Sequence, residues 1–299
     1  MTPQQTNLTN HTQWLLPVLA VVIGAVALTA WHWPGWVFMW VMAIAIYAGF
    51  KCLTFCEVVA DGRAISKTTR LIYLLCWPGM SLQEFVKAPP KIERRNWVPS
   101  WLAPAAKTLV GAGLVWLLVP AIPVEAGLAR GWVGMVGIIM MLHFGTFHLL
   151  ALALQAAGIN ARTNMQAPLL AWSLADFWGK RWNTAFNVLA DRYGFRLLTP
   201  HIGPRAALAV VFLASGLLHE TVITLPARGG YGLPMAYFAL QATGLFVERI
   251  PLIRRRSWLK RLFAWLVLLA PLGCLFPPVF IRNVILPMLQ AVGATGNTP

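Results

Sequence analysis

Long apolar runs without charge, separated by short basic clusters, constrain the fold of this chain more than any other feature. Only 11% of its 299 residues are charged and 58% are hydrophobic, whereas a soluble globular domain carries about 25% charged residues. So few charges cannot cover a surface that faces water, and several runs reach the roughly 20 residues that a helix needs to cross a bilayer. The sequence therefore predicts an all-α, polytopic integral membrane protein.

The predicted membrane spans follow from the charge-free runs. The turn His32-Trp-Pro-Gly35 divides the first run into a two-helix hairpin, whereas Leu71–Gly79 is too short to span. Met165–Leu174 is also short and contains a proline, which favours a partial or in-plane helix. Together, the runs predict about seven to nine transmembrane helices. The spanning runs are Trp14–Gly49, Leu102–Val124, Gly131–Ala161, Ala206–Leu225, Gly232–Val247 and Leu262–Phe280.

The net charge of +15 comes from basic clusters that lie between the apolar runs. They do not form a folded basic domain, so binding to nucleic acid is not expected. Only three of the 24 Lys and Arg residues fall on the opposite side of the predicted spans: Arg130, Arg228 and Arg282. Basic residues stay on the cytoplasmic side of membrane proteins, and four clusters are expected there: Lys51–Arg70, Lys87–Arg95, Arg162–Arg205 and Arg249–Arg261. No linker or repeat divides residues 1–299, which predicts a single membrane-embedded domain.

Metal binding is not expected from the cysteines or histidines. The four cysteines, at positions 52, 56, 76 and 274, form no CxxC pair. His143 and His148 lie five residues apart, a spacing that does not place two side chains on one face of an α-helix. The prediction is that the protein has neither a metal site nor a resident cofactor.

The stretch Asp176-Phe-Trp-Gly-Lys-Arg-Trp-Asn183 is a dense polar and aromatic cluster in a basic loop. On a continuous helix, Asp176, Lys180, Asn183 and Asn187 would share one face, and the acid would pair with Lys180 one turn later. An interfacial helix, with Trp and Arg at the level of the lipid headgroups, is the alternative interpretation. That alternative does not explain two asparagines beside the acid, since unpaired amides cost about 1–3 kcal/mol each.

The later stretch Ser215-Gly-Leu-Leu-His-Glu220 places two ionisable side chains inside an apolar run. Such residues are rare at membrane depth and mark functional sites by default. His219 would lie roughly 20 Å into a helix that begins near Ala206, where the neutral imidazole is favoured and can accept a proton. A histidine that merely joins two helices by a hydrogen bond is the alternative. Glu220 needs neutralisation, a wet cavity or a partner, and Arg228 or a histidine are candidates.

Both stretches closely resemble the wax-synthase-like branch of the membrane-bound O-acyltransferases. The resemblance rests on Ser173–Asn183, on Phe212-Leu-Ala-Ser-Gly-Leu-Leu-His-Glu220 and on Gly230-Tyr-Gly-Leu-Pro234. It is specific over about 131–249 and only compositional elsewhere. The family implies helices around an intramembrane catalytic tunnel, in which an acyl group passes from acyl-CoA, as co-substrate, to a hydroxyl group.

The resemblance also implies roles for individual residues. His219 would be the general base that deprotonates the acceptor, and Asn183 would position or polarise the acyl carbonyl. Glu220 would support the histidine or a neighbouring helix. The remaining motif residues would shape the donor-binding site at the basic face: Asp176, Trp178, Arg181 and Trp182.

The acceptor stays open at this point. A long-chain alcohol would give a wax ester, while a sterol, a diacylglycerol or another hydroxylated lipid would use the same chemistry. A bacterial inner membrane or the endoplasmic reticulum would house such an enzyme. From another class, a lipid transporter could use His219 and Glu220 as a proton relay, although no inverted repeat is visible.

Overall fold

A computed structural model describes residues 21–60, 65–87 and 97–295. The described part of the chain consists of helices and their connections, without a β-strand. Two of the helices, α3 and α7, end in π-helical turns, which span Ile72–Cys76 and Phe177–Arg181 respectively. In chain order the helices are α1 (Val21–His32), α2 (Gly35–Ala60), α3 (Lys67–Leu71), α4 (Leu82–Phe85), α5 (Pro99–Ala121), α6 (Val124–Ala156), α7 (Leu174–Asp176), α8 (Thr184–Ala227), α9 (Leu233–Val247), α10 (Pro251–Arg254), α11 (Ser257–Leu275) and α12 (Pro278–Ala291).

The described residues contain five helices long and apolar enough to cross a membrane, namely α2, α5, α6, α8 and α11. Three shorter apolar helices, α1, α9 and α12, accompany them. This arrangement confirms the predicted all-α, polytopic membrane fold. The start of the first predicted span and most of the Lys87–Arg95 cluster lie outside the described residues.

Helix α2 continues beyond the predicted end of its span at Gly49, because the charges that follow are buried and paired. The Lys51 ammonium donates to the Trp77 carbonyl at 2.7 Å and to the Gly79 carbonyl, and lies 3.6 Å from the Tyr73 ring centroid. Glu57 accepts a hydrogen bond from the Tyr193 hydroxyl at 2.6 Å and also pairs with Arg192. A rule that ends a span at its first charge fails where groups on distant segments of the chain bind that charge.

The sequence predicts two segments that are too short to span. The first contains no spanning helix, as predicted, and the second lacks the partial helix expected of it. Leu71–Gly79 contains only the end of α3, followed by extended chain that Lys51 and Tyr47 hold through their hydrogen bonds to Trp77. Met165–Leu174 forms a single 3₁₀ turn at Pro168–Leu170 rather than a partial helix.

Helix α8 bends sharply at Gly203, whose φ of 77° and ψ of 162° are not helical. Pro200 and Pro204 flank the bend within the helix, and each removes a backbone donor. The first limb carries the charged residues Asp191, Arg192 and Arg196, while the second limb has no charged residue between Arg205 and His219. The bend therefore turns the chain from the basic region into the apolar span that bears the histidine.

Helices α8 and α9 pack closely at Gly216. A Cβ atom at this position would lie 3.1 Å from the Met235 Cα and 3.3 Å from the Phe238 Cβ. The absence of a side chain at Gly216 therefore permits the close approach of the two helices. The close crossing is what brings Phe238 onto the face of α8 that carries His219.

Candidate active site

Helix α7, which carries the first motif, is fixed at its N-terminus by two side chains. The Ser173 hydroxyl accepts a hydrogen bond from the Asp176 N–H at 2.9 Å, as an N-cap. The Glu248 carboxylate, only 3% exposed, accepts from the Leu174 N–H and from the Ala175 N–H at 3.4 Å. A negative charge at a helix N-terminus is favourable, so Glu248 anchors the motif to the end of α9.

The π-helical turn Phe177–Arg181 changes the pairing of the motif acid. Asp176 accepts from the Arg181 Nε at 2.5 Å, five residues away, and not from Lys180, four residues away. The predicted Asp176–Lys180 ion pair is therefore wrong, because hydrogen bonding in a π turn runs from i to i+5 and shifts the register by one residue.

The single polar face predicted across the motif is also wrong, because the helix stops. Trp182 is extended and Asn183 adopts the left-handed conformation at φ 43°, before α8 begins at Thr184. Asn187 then reaches back, and its side-chain amide donates to the Trp178 carbonyl at 3.0 Å and to the Gly179 carbonyl at 2.5 Å. The two asparagines thus have different roles. Asn187 donates hydrogen bonds to carbonyls of the π-helical turn, while Asn183 forms the corner between that turn and α8.

The corner is held against the preceding loop by backbone hydrogen bonds. The Gln166 N–H donates to the Arg181 carbonyl at 2.8 Å, and the Thr184 N–H donates to the Asn164 carbonyl at 2.9 Å. The Arg181 guanidinium also donates to the Ala167 carbonyl at 3.2 Å. Arg181 is thus largely occupied with protein groups, and the predicted contact with a donor would have to share its guanidinium.

A continuous series of aromatic contacts joins the two motifs. Trp182 stacks on Phe177 at 5.4 Å between ring centroids, and Phe177 meets Trp178 edge-on at 5.1 Å. Trp178 contacts Phe238 at 5.8 Å, and Phe238 lies 4.5 Å from the His219 ring. Trp178 and Trp182 are therefore placed in the core between the motifs.

The hydrogen bonding of His219 determines which ring nitrogen is free. Its Nδ1 lies 2.7 Å from the Ser215 carbonyl oxygen. A carbonyl oxygen can only accept, so Nδ1 of the neutral ring carries the proton and donates it. Within the described part of the chain Nε2 has no hydrogen-bond partner, which leaves this atom as a proton acceptor in an apolar helix.

Glu220 contacts neither the His219 ring nor Arg228 through a hydrogen bond. One carboxylate oxygen accepts from the Met235 N–H at 3.2 Å, in the first turn of α9, and the other accepts from the Thr224 hydroxyl. Arg228 instead donates to the carbonyls of Trp31 and Trp33. Of the roles predicted for Glu220, the structure supports the one toward a neighbouring helix.

Asn183 and His219 are not hydrogen-bonded to each other. The Asn183 backbone N–H lies 3.4 Å from the Met165 sulfur, and its half-buried carboxamide has no partner among the described residues. Two predicted catalytic groups thus keep free polar atoms, Nε2 of His219 and the amide of Asn183, while their supporting groups are satisfied.

A cavity of about 670 Å³ opens beside the first motif. It combines cationic, polar and apolar side chains from α5, α6, α7 and the loop before α7. Neither His219 nor Asn183 lines it. The lining residues are Lys107, His143, Phe144, His148, Thr163, Asn164, Met165, Gln166, Ala167, Asp176, Lys180 and Arg181.

His143 and His148 both line this cavity, contrary to the prediction that they lie on different faces. The reason is the π-helical turn Met140–Thr146 within α6, in which residues five apart are successive neighbours on one side. In the described residues no group of three or more His, Cys, Asp or Glu side chains could hold a metal ion.

Sequence reasoning missed Phe238, Gln241 and Glu248. Gln241 is fully buried, accepts from the Trp178 indole N–H at 3.2 Å and donates to the Val267 carbonyl at 2.8 Å. An amide and an acid in or next to an otherwise apolar run were signals for Gln241 and Glu248. Phe238 carried no such signal, since its role depends on the crossing at Gly216.

The segment that carries both motifs matches a known protein family. A sequence profile described as the membrane bound O-acyl transferase family matches residues 161–240, a segment that contains both motifs and Phe238. Over these residues the chain is similar to the membrane-bound O-acyltransferases.

A protein of Arabidopsis thaliana described as a probable long-chain-alcohol O-fatty-acyltransferase is 34% identical over 71 residues. The match covers 21% of this chain and 21% of the length of that relative.

Proposed function

We propose that the protein is an acyl-CoA-dependent O-acyltransferase whose acceptor is a hydroxylated lipid, with a long-chain alcohol as the leading candidate. The observation that carries the proposal is the hydrogen bond between Nδ1 of His219 and the Ser215 carbonyl, which fixes the tautomer and leaves Nε2 without a partner among the described residues. Its link to the first motif through Phe238, at 4.5 Å from the imidazole ring, supports a shared site.

In the proposed reaction, Nε2 of His219 takes the proton of the acceptor hydroxyl as its oxygen attacks the thioester carbonyl. The Asn183 amide N–H stabilises the negative charge that develops on the carbonyl oxygen. Collapse of the tetrahedral intermediate breaks the C–S bond, forms the ester and releases a thiolate, which takes the proton from the imidazolium. General-base catalysis is worth about 10²–10⁴-fold, and one oxyanion donor about 10²–10³-fold.

The cavity beside α7 is the proposed entrance for the donor. Lys107 and Lys180 line it, and neither forms an ion pair with a described residue, so both ammonium groups are available for phosphate. The long-chain alcohol is suggested by the name of the Arabidopsis relative and by the membrane setting. A sterol or a diacylglycerol would require the same groups.

Transport with a His219–Glu220 proton relay is less well supported. Both oxygens of Glu220 already accept hydrogen bonds, from Met235 and Thr224, and no hydrogen bond connects the carboxylate to the imidazole. We therefore place the acyl transfer reaction first.

The direct test is release of free CoA by the purified protein in detergent, with acyl-CoA donors of several chain lengths and a panel of alcohols. We expect acceptor-dependent release that falls at least about 10²-fold in His219→Ala, while His201→Ala, a change at an exposed histidine of α8, keeps wild-type rates. Equal release by the wild type and His219→Ala would refute the assigned base. No release with any acceptor from folded protein would argue for transport.

A further inference from the structure

His143 is a half-buried histidine that the proposed reaction does not use. It lines the cavity beside α7, and its Nδ1 is buried without a hydrogen-bond partner among the described residues. Native proteins satisfy the great majority of buried polar atoms. The His143 ring borders the cavity although its Nδ1 is not exposed there, so a ligand bound in the cavity supplies the missing partner once the ring turns toward it.

The position of His143 is set by rigid surroundings. It lies in the π-helical turn Met140–Thr146, and such turns frequently occur at functional sites. The turn is packed tightly on α5, because a Cβ atom at Gly145 would lie 2.1 Å from the Thr108 hydroxyl oxygen. The next residue, Phe144, contacts Trp182 of the first motif at 6.2 Å. His143 thus lines the same cavity as Lys107 and is the neighbour of a residue that contacts the motif.

The other lining residues restrict the kind of ligand. Two ammonium groups, Lys107 and Lys180, favour an anionic end, and the hydroxyl and amide groups of Thr163, Asn164 and Gln166 suit a chain with amide bonds. Phe144, Met165 and Ala167 add apolar contacts. The phosphopantetheine arm of a CoA thioester combines a phosphate, two amides and methylene groups, and an imidazole can either donate to or accept from such amides.

We propose that His143 is a donor-binding residue, whose imidazole forms a hydrogen bond with an amide of the pantetheine arm of the acyl donor. The inference rests on the proposed function, since it assumes a CoA thioester in this cavity. It adds a specificity-determining contact that lies outside both motifs and on a different helix.

The experiment measures binding separately from turnover. Full-length protein in detergent is titrated with a non-reactive thioether analogue of palmitoyl-CoA and, separately, with 3′,5′-ADP, which lacks the arm. The variants are His143→Leu, which removes both ring nitrogens, and His143→Asn, whose amide occupies the place of Nδ1. His201→Leu is the matched control, because that histidine is exposed and far along the chain from the cavity-lining residues.

For His143→Leu we expect the Kd of the thioether analogue to rise about tenfold, as one lost hydrogen bond implies. Binding of 3′,5′-ADP should not change, and His143→Asn should recover most of the affinity. The KM for acyl-CoA should rise in parallel, with kcat and the acceptor KM unchanged. The apparent Tm of His143→Leu should not fall, since the variant removes an unpaired buried nitrogen.

The possible failures are distinguishable. If the wild type does not bind the analogue, the proposed donor is wrong and the inference falls with it. If the wild type binds and His143→Leu binds equally well, the inference alone is overturned. A lower Tm together with weaker binding in both His143 variants would show a packing role and would also overturn it.

Discussion

Asn183 is the residue at which backbone and side-chain requirements coincide. Its φ of 43° is left-handed, a conformation that asparagine and glycine accept more readily than other residues. The same residue carries the carboxamide that the proposed reaction uses. An asparagine satisfies both demands, whereas alanine satisfies neither.

Two substitutions at position 183 distinguish the backbone role of Asn183 from its side-chain role. We expect Asn183→Gly and Asn183→Ala to lose about 10²–10³-fold in kcat, because both remove the oxyanion donor. Only Asn183→Ala should also lose stability, since alanine strains the left-handed corner. Rates of CoA release and thermal unfolding would be compared. Unchanged kcat in Asn183→Gly, with a normal Tm, would exclude the carboxamide from the chemistry.

Glu220 is expected to act as a hydrogen-bond acceptor and not through its charge. Glu220→Gln keeps an acceptor for the Met235 N–H, so its rate of CoA release should stay within about threefold of wild type. Glu220→Ala leaves that buried N–H unpaired and should destabilise the protein by about 1–3 kcal/mol. A proton relay predicts the opposite order of effects, in which Glu220→Gln is already inactive.

At the scale of helices, the crossing of α8 and α9 decides whether His219 meets Phe238. We expect Gly216→Val to force the helices apart, because its side chain would meet the Met235 backbone, at a cost of about 1–3 kcal/mol. CoA release should fall although every motif residue is present. Ala214→Val, at an exposed position of the same helix, is the control and should keep wild-type activity. Equal rates in both variants would contradict this role.

Individual elements show what could be predicted from the sequence. The apolar runs and the His32–Gly35 turn predicted the spanning helices, because charge and length control membrane insertion. Helix α2 ran past its predicted end because Lys51 and Glu57 find partners on distant segments. The polar face of the first motif was mispredicted since an α-helical period cannot anticipate a π turn or a left-handed residue. For the same reason the shared cavity wall of His143 and His148 was missed.

At the scale of the whole molecule, the asymmetry of basic residues predicts that the α9–α11 connection is cytoplasmic and the α8–α9 turn lies on the other side. In a background with the four native cysteines replaced, Arg255→Cys and Tyr231→Cys, both at exposed positions, would be treated with a membrane-impermeant maleimide. In intact cells we expect only Tyr231→Cys to react, and in inside-out vesicles only Arg255→Cys. The reverse pattern would invert the proposed topology.

After the bend at Gly203, the number of residues in the second limb of α8 determines where His219 lies relative to the first motif. One residue added between Gly203 and His219 would rotate the imidazole by about 100° around the helix axis and advance it by about 1.5 Å. The ring would then lose its contact with Phe238, although every residue of both motifs remained in the sequence. The number of residues in this limb therefore matters as much as the identity of any motif residue. A homologous sequence that differs there by one residue would keep both motifs yet lose their alignment.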